Sequence, residues 1–191
     1  MLRIIKSALV IFALFAVLTG LIYPLLITGA AQLFFNWQAN GSLIRVQDGR
    51  EIGSLIIGQS FDDPKYFWGR LSATAGGAYN ASASCGSNYS VLNQSLQEEV
   101  RRRLDALHAA DPDNTLPVPV DLVTSSASGL DPHISPVAAY YQVARIARLR
   151  NLPENDVRTL VDRSIEEPFL RIIGEPRVNV LKLNLALDSL Q

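Results

Sequence analysis

The sequence of 191 residues is short of the residue types on which many catalytic and metal sites depend. It holds one cysteine and two histidines, so no internal disulfide can form. Cys85, His108 and His133 do not stand at the spacing of metal ligands. We therefore expect no catalytic residue, no metal ion and no cofactor bound by the chain alone.

Lysine is scarce as well. Only Lys6, Lys65 and Lys182 are present, and no G-x-x-x-x-G-K-[ST] phosphate loop occurs. The Asp-Lys-Thr phosphorylation sequence of P-type ATPases is also missing, which excludes ATP hydrolysis by that route. With a formal net charge of −1, the chain offers no electrostatic attraction to nucleic acid.

What the sequence does have is one long apolar run, from Ala8 to Ile27, preceded by Arg3 and Lys6. About 20 residues at 1.5 Å rise per residue cross a hydrocarbon core of roughly 30 Å. The run therefore predicts a single membrane-spanning helix. Pro24 removes one backbone hydrogen bond from it and predicts a local distortion.

The helix predicts the organisation of the whole chain. Residues 1–37 form a tail and a transmembrane helix, and residues 38–191 form one domain. By the positive-inside rule the short basic tail stays in the cytoplasm, so the domain lies in the periplasm of a bacterial inner membrane. A cleaved signal peptide is the alternative, because small residues follow at 28–31, but its apolar core is usually only roughly 7–15 residues long.

The domain is predicted to be of the α+β class, since no strand-helix-strand repetition of the parallel type occurs. The first predicted element is a β-hairpin, in which Leu43–Val46 and Ile52–Ile57 are joined by a turn at Asp48-Gly49. An amphipathic helix then runs from Leu92 and ends before Pro112, and an edge strand follows at Val118–Val123. The last predicted elements are a helix from Pro136 to Arg150, a short helix after Pro153, and a terminal strand from Val178 that turns into a helix.

The helix from Pro136 has the clearest start signal. Ser135 is a favourable N-cap, and proline suits the first helical position. The apolar spacing predicts that its inner face carries Val137, Tyr140, Tyr141, Ala144 and Ala147.

Three segments are predicted to be loops. The segment 58–70 contains four aromatic residues and is expected to be ordered by its rings. The segments 72–90 and 125–133 consist mostly of small and polar residues, and long loops of this kind are usually functional or disordered.

Asp131 and His133 lie among several serines, which is compatible with a Ser-His-Asp hydrolase. The same residues are good turn chemistry before a helix cap, and no G-x-S-x-G sequence occurs. The turn is therefore the favoured interpretation.

Several long motifs together resemble the small C subunit of the bacterial Kdp potassium-transporting P-type ATPase. They are WQANGSLI at 37–44, GSLIIGQ at 53–59, GRLSA at 69–73, VPVDLVT at 118–124, SGLDPHISP at 128–136, GEPRVNV at 174–180 and LNLALD at 183–188. Departures from the family pattern are local: Leu71 and Gln94 replace proline, and Cys85 replaces glycine.

The resemblance implies a non-catalytic accessory subunit, a catalytic chaperone that raises the ATP affinity of the pump subunit. The implied partners are a channel-like potassium-binding subunit, an ATP-hydrolysing pump subunit and membrane lipid, with ATP bound through the pump subunit. We expect Ala16 and Gly20 to let a partner helix approach closely. The partner-contact candidates in the domain are Gly69, Arg70, Asn80, Ser87, Asn88, Ser128, Gly129, Asp131 and His133.

Two other functions remain open on the sequence. The first is a free-standing, membrane-anchored periplasmic binding or adaptor module. The second is a secreted hydrolase that uses His133.

Overall fold

The computed structural model describes residues 1–46 and 49–190. Its contacts divide the chain into two compact units, of which the first is Met1–Leu43 and the second begins at Ile44. The fold is α+β, with one long apolar helix at the N-terminus, as the sequence predicts.

The first unit is dominated by a continuous helical stretch. It comprises α1 (Leu2–Val17), a π-helical turn (Leu18–Ile22) and α2 (Tyr23–Phe34). Together they form 33 residues with a mean hydropathy of 2.6, the one helix among the described residues that is long and apolar enough to cross a membrane.

The distortion expected at Pro24 takes the form of the π turn. Because proline has no N–H group, the helical hydrogen-bond ladder is interrupted one turn earlier. The N–H group of Tyr23 instead donates to the Leu18 carbonyl, five residues back. The chain thus continues as a helix through a locally wider turn.

The end of the apolar stretch is marked by hydrogen-bonded amide side chains. Gln32 Oε1 accepts from the amide groups of Asn36 at 3.0 Å and Asn40 at 3.1 Å. A short helix, α3 (Asn36–Ala39), follows, and Trp37 Nε1 donates to the Leu43 carbonyl at 3.0 Å.

The predicted first pair of strands is confirmed, but the second strand ends at Ser54 and not at Ile57 as predicted. Strand β1 (Leu43–Arg45) pairs with β2 (Glu51–Ser54), and an ion pair of 2.8 Å joins Arg45 to Glu51. Residues 47 and 48 lie outside the described residues, so the turn predicted at Asp48-Gly49 stays a prediction.

A three-stranded antiparallel sheet lies in the second unit. Its strands are β3 (His133–Ile134), β4 (Ile165–Glu166) and β5 (Arg177–Asn179), in the order β3-β5-β4. In register, Val178 of β5 lies between Ile134 and Ile165. This central valine is fully buried.

Five helices accompany the sheet: α4 (Gln94–Ala110), α5 (Val120–Val123), α6 (Pro136–Arg150), α7 (Glu154–Ser164) and α8 (Val180–Asp188). Helix α7 packs against both α6 and α8. The predicted helices at 92–111, 136–150 and after Pro153 are confirmed. The core is formed by Phe67, Leu122, Ile134, Val143, Ile146, Val157, Val161, Val178, Leu183 and Leu187, among others.

The predicted inner face of α6 is wrong in part. Val137 and Ala144 are exposed, while Gln142 and Arg145 are buried at 1% and 2% exposure. Gln142 Oε1 accepts from the N–H group of Trp68 at 2.8 Å, and Arg145 donates to the Tyr66 carbonyl at 3.1 Å. Backbone groups of the buried segment 66–68 therefore draw polar residues into the core.

The strand predicted at Val118–Val123 is also wrong, because residues 120–123 form the helical turn α5. Pro119 has no N–H group for a strand ladder and stands directly before the turn as its N-cap. Leu122 is then fully buried. The terminal strand is shorter than expected, because the Asn179 side chain caps α8 by accepting from the Lys182 N–H group at 3.1 Å.

The aromatic segment 58–70 is ordered by its rings, as predicted. Phe67 and Trp68 are buried, and the guanidinium groups of Arg103 and Arg145 lie 4.9 and 4.7 Å from the centre of the Trp68 ring. Burial lowers the pKa of Arg145 to about 10.

Candidate functional site

Three of the predicted partner-contact residues line one cleft of the second unit. Arg70, Asp131 and His133 meet at a cavity of about 510 Å³. The other charged side chains along its wall are Asp121, Glu175 and Arg177. The cleft therefore presents acidic and basic groups together rather than a field of one sign.

Arg70 is fixed on both its side chain and its backbone. Its Nη1 atom lies 3.4 Å from Asp131 Oδ2, and its Nη2 atom donates to the Ser125 carbonyl at 3.3 Å. The Tyr79 hydroxyl donates to the Arg70 carbonyl at 2.7 Å. Since about a third of each charged side chain stays exposed, this ion pair defines a position more than it stabilises the fold.

Asp131 orients His133. Its Oδ1 atom accepts from the backbone N–H group of His133 at 3.0 Å and lies 3.0 Å from the ring atom Nδ1. Burial alone would raise the pKa of the Asp131 carboxyl, but the hydrogen bonds and charge of His133 and the charge of Arg70 lower it below its ordinary value.

The opposite side of the His133 ring faces strand β4. Its Nε2 atom lies 3.9 Å from Glu166 Oε2. Glu166 also pairs with Lys182 at 2.7 Å and with Arg177 at 3.3 Å. Burial would raise the pKa of Glu166, but these two cations and His133 lower it. The carboxylate joins β4, β5 and α8 at one point.

This geometry does not favour the hydrolase alternative. In a Ser-His-Asp site the imidazole nitrogen opposite the aspartate faces a serine hydroxyl. Here that nitrogen faces the carboxylate of Glu166. Within the described parts of the chain, no cluster of three or more histidine, cysteine or acidic residues could hold a metal ion.

The two predicted loops pack against each other. Ser72 Oγ donates to the Gly129 carbonyl at 2.7 Å and accepts from the N–H group of Tyr79 at 2.8 Å. Ser84 Oγ donates to the Ser128 carbonyl at 3.0 Å. Several small polar residues of these loops therefore form hydrogen bonds within the domain.

Two predicted contact residues are buried glycines. A Cβ atom on Gly129, which has a φ of +67°, would lie 2.6 Å from the Cys85 carbonyl oxygen. A Cβ atom on Gly69 would lie 3.0 Å from the Tyr79 hydroxyl. Both residues are therefore packed against their own chain, and their role as partner contacts stays a prediction.

The remaining loop candidates are more accessible. Asn88 and Ser128 are exposed, and Asn80 and Ser87 are half-buried. Asn80 stabilises its own loop, because its side chain accepts from the Ser82 N–H group and donates to the Ala75 carbonyl. The cleft residues and these loop residues form two separate groups of candidates.

The two helix candidates belong to the first unit. Ala16 lies in α1 and Gly20 in the π turn, and both are exposed. Apart from its two chain neighbours and the nearby helix backbone, no described atom lies within 4 Å of the place where a Gly20 Cβ would stand. Thr19 Oγ1 donates to the Phe15 carbonyl at 2.7 Å, which keeps this polar group satisfied in an apolar environment.

Sequence reasoning missed Asp121, Glu166 and Arg177. Asp121 accepts from the N–H group and the hydroxyl of Ser135 at the start of α6. Glu166 and Arg177 stand opposite each other in the β4–β5 register. A hairpin prediction for residues 165–179 would have paired them, but two-residue strands leave almost no periodic signal.

Comparisons with known proteins agree on one family. The model of the family described as "KdpC: K+-transporting ATPase, c chain" matches residues 5–189. A potassium-transporting ATPase KdpC subunit of Polaromonas naphthalenivorans is 60% identical over 189 residues, which cover 99% of this chain and 96% of the relative. KdpC subunits of Variovorax paradoxus and Herpetosiphon aurantiacus are 60% and 58% identical, over 98% and 97% of this chain and 96% of each relative.

Proposed function

The chain belongs to the KdpC family of K+-transporting ATPase c chains, and we propose that it serves such a complex as a non-catalytic accessory subunit in potassium uptake. The match over residues 5–189 carries this proposal, because it includes both the apolar helix and the domain. In this proposal the chain contributes a candidate membrane span and a folded domain, and its partners carry out ATP hydrolysis and potassium transport.

The partners that we propose are a channel-like potassium-binding subunit and an ATP-hydrolysing pump subunit. The apolar helix packs laterally on a partner helix in the bilayer, where Ala16 and Gly20 permit close approach. The domain lies on the periplasmic side, next to the potassium entrance. There the mixed charges of the cleft, including Arg70 and Asp131, suit a polar protein surface.

We further propose that the subunit acts as a catalytic chaperone that raises the affinity of the pump subunit for ATP. A periplasmic domain has no direct access to cytoplasmic nucleotide. The effect must therefore be a coupling free energy transmitted through the membrane helix or through the conformation of the partner, typically about 1–3 kcal/mol. ATP is bound by the pump subunit and not by this chain.

Affinity purification of the tagged full-length chain from its native membrane tests the complex. We expect two large membrane subunits to co-purify, and we expect growth at limiting potassium to fail when the chain is deleted. Purification of the chain alone, together with unimpaired potassium uptake in the deletion strain, would favour the free-standing periplasmic module instead.

ATPase measurements test the chaperone role. Removal of the chain from the complex should raise the KM for ATP about 5- to 150-fold, as the coupling energy implies. Nucleotide binding by the full-length chain alone in nanodiscs, measured by calorimetry, should not be detectable. An unchanged KM in a complex that lacks the chain would contradict this role.

A further inference from the structure

The connection between β4 and β5 carries four exposed apolar side chains within five residues. Phe169, Leu170, Ile172 and Ile173 are 70%, 71%, 83% and 64% exposed. We call these four residues the apolar tip. Exposed apolar clusters of this kind mark interaction surfaces in soluble domains. The functional site described above does not include them.

Four N–H groups of this segment are paired with carbonyl groups of the same segment. The N–H group of Phe169 donates to the Ile173 carbonyl at 3.1 Å, and the N–H group of Ile173 donates to the Phe169 carbonyl at 3.0 Å. The N–H groups of Arg171 and Ile172 donate to the carbonyls of Pro168 and Phe169. This internal pairing lowers the number of unpaired amide groups that the segment would bring into an apolar environment.

The turn also holds large side chains in an unfavourable conformation. Leu170 and Arg171 have φ values of 53° and 59°, in the left-handed region that glycine and asparagine adopt more readily. Folding alone would be served better by a polar turn such as Asn-Gly. Presentation of a leucine and an arginine at the end of the hairpin therefore points to recognition.

We infer that the apolar tip inserts into an apolar socket on a membrane-embedded partner subunit of the same transporter. This inference rests on the proposed function. The charges around the tip describe the socket further. Arg171 stands among the four apolar residues, and Glu167 and Glu175 are exposed on either side. The complementary socket has an acidic group near its centre and basic groups on its rim.

The same charges disfavour a lipid surface as the occupant. A bilayer surface that contains anionic lipid repels Glu167 and Glu175, and a single arginine does not offset two exposed carboxylates. A partner surface of mixed charge does not meet this objection. A second copy of this chain is the remaining alternative, and a cysteine measurement distinguishes it from the partner subunit.

Substitution of the tip tests the inference in the intact complex. We expect Ile172→Asp and Phe169→Asp each to lower the amount of partner subunit that co-purifies with the tagged chain at least tenfold, and Arg171→Glu to lower it as well. Leu92→Asp is the matched control, because Leu92 is an apolar residue with 87% exposure elsewhere on the domain. It should co-purify like the wild type, and all variants should show the same thermal unfolding as the wild-type chain.

Retention of the partner by Ile172→Asp, or equal loss with Leu92→Asp, would overturn the inference while leaving the proposed function intact. Failure of the wild-type chain to retain any partner would instead overturn the proposed function, and the inference with it. The two failures are therefore distinguishable in one experiment.

A second measurement distinguishes whether the apolar tip contacts a partner subunit, lipid or a second copy of this chain. Ile172→Cys in a Cys85→Ser background is labelled with an environment-sensitive fluorophore. In the assembled complex we expect a blue shift and protection from a soluble quencher. In nanodiscs that hold the chain alone we expect neither. Quenching by spin-labelled lipid in those nanodiscs would overturn the inference in favour of lipid. Disulfide formation between two copies of the unlabelled Ile172→Cys variant, after addition of a thiol oxidant, would overturn it in favour of a dimer.

Discussion

Two buried amide side chains pair the backbone groups of Phe67 and Trp68. In a sheet, a neighbouring strand would supply these hydrogen bonds. Asn184 accepts from the N–H group of Phe67 at 2.9 Å and donates to its carbonyl at 3.0 Å. Gln142 does the same for Trp68, at 2.8 and 3.1 Å. Both residues are below 3% exposure. Each amide offers one acceptor and two donors, so it can complete a backbone N–H and C=O group at once.

These residues show why part of the core could not be predicted from the sequence. An amide on an otherwise apolar helix face is indistinguishable from a surface residue until its partner is known. The partner of Asn184 is 117 positions away along the chain. The apolar spacing around Gln142 therefore indicates a helix correctly but places its buried face wrongly.

We expect Asn184→Leu to lower the free energy of unfolding by about 2–4 kcal/mol, because it leaves two buried backbone groups of Phe67 unpaired. Urea denaturation of the full-length chain in detergent, followed by tryptophan fluorescence, measures the change. Asn155→Leu is the control: Asn155 is exposed on α7, and its replacement should change stability by less than about 0.5 kcal/mol. Equal effects of the two substitutions would show that the amide pairing at Phe67 is not needed.

At the scale of elements, helices and strands were predictable to different degrees. The long helices carry their own signals in the chain, such as the Ser135 cap, whose Oγ accepts from the Ala138 N–H group at 3.1 Å. Strands β3, β4 and β5 have only two or three residues each. Their positions depend on contacts between distant segments, so local periodicity could not reveal them.

Strand β3 is joined to its surroundings by carboxylates, and this predicts a dependence of stability on pH. The pKa of Asp131 is lower in the folded chain than its ordinary value, so the unfolded chain binds a proton more readily between the two values. The stabilisation by Asp131 is therefore fully present above about pH 4–5 and is lost as the pH falls through the folded pKa.

We expect Asp131→Asn to reduce the loss of unfolding free energy as the pH falls below about 5 and the native carboxylate takes up its proton. The slope should decrease without vanishing, because the lowered pKa of Glu166 acts in the same direction. Urea denaturation at a series of pH values measures it. Asp105→Asn, at an exposed position of α4, should leave the slope unchanged, and an unchanged slope in Asp131→Asn would refute the role of the His133 and Arg70 contacts.

At the scale of the whole molecule, the chain combines an apolar helix of membrane length with a domain whose cleft and apolar tip face outward from a small core. The family resemblance was visible in the sequence because its motifs coincide with packing positions, such as the buried Gly129 and Asn184. The proposed docking surfaces left a weaker signal. Exposed residues are constrained by a partner, and a partner's surface cannot be inferred from this chain's local propensities.

The orientation of the chain follows from few charges and is therefore open to a direct test. Arg3 and Lys6 precede the apolar helix, and the positive-inside rule holds such a tail in the cytoplasm. We expect a phosphatase fused after Gln191 to be active in the periplasm, and a fluorescent protein that matures only in the cytoplasm to stay dark there.

The double substitution Arg3→Glu and Lys6→Glu provides the control, because it removes the charge bias and should produce a mixed or inverted orientation. Mass spectrometry of the mature chain from the membrane should recover residues 1–31, since a helix of about 20 apolar residues is retained in the bilayer. A fluorescent C-terminal fusion in the wild-type chain would place the domain on the side of ATP. In that case the proposed effect on ATP affinity would require direct contact with the pump subunit's nucleotide domain rather than coupling across the membrane.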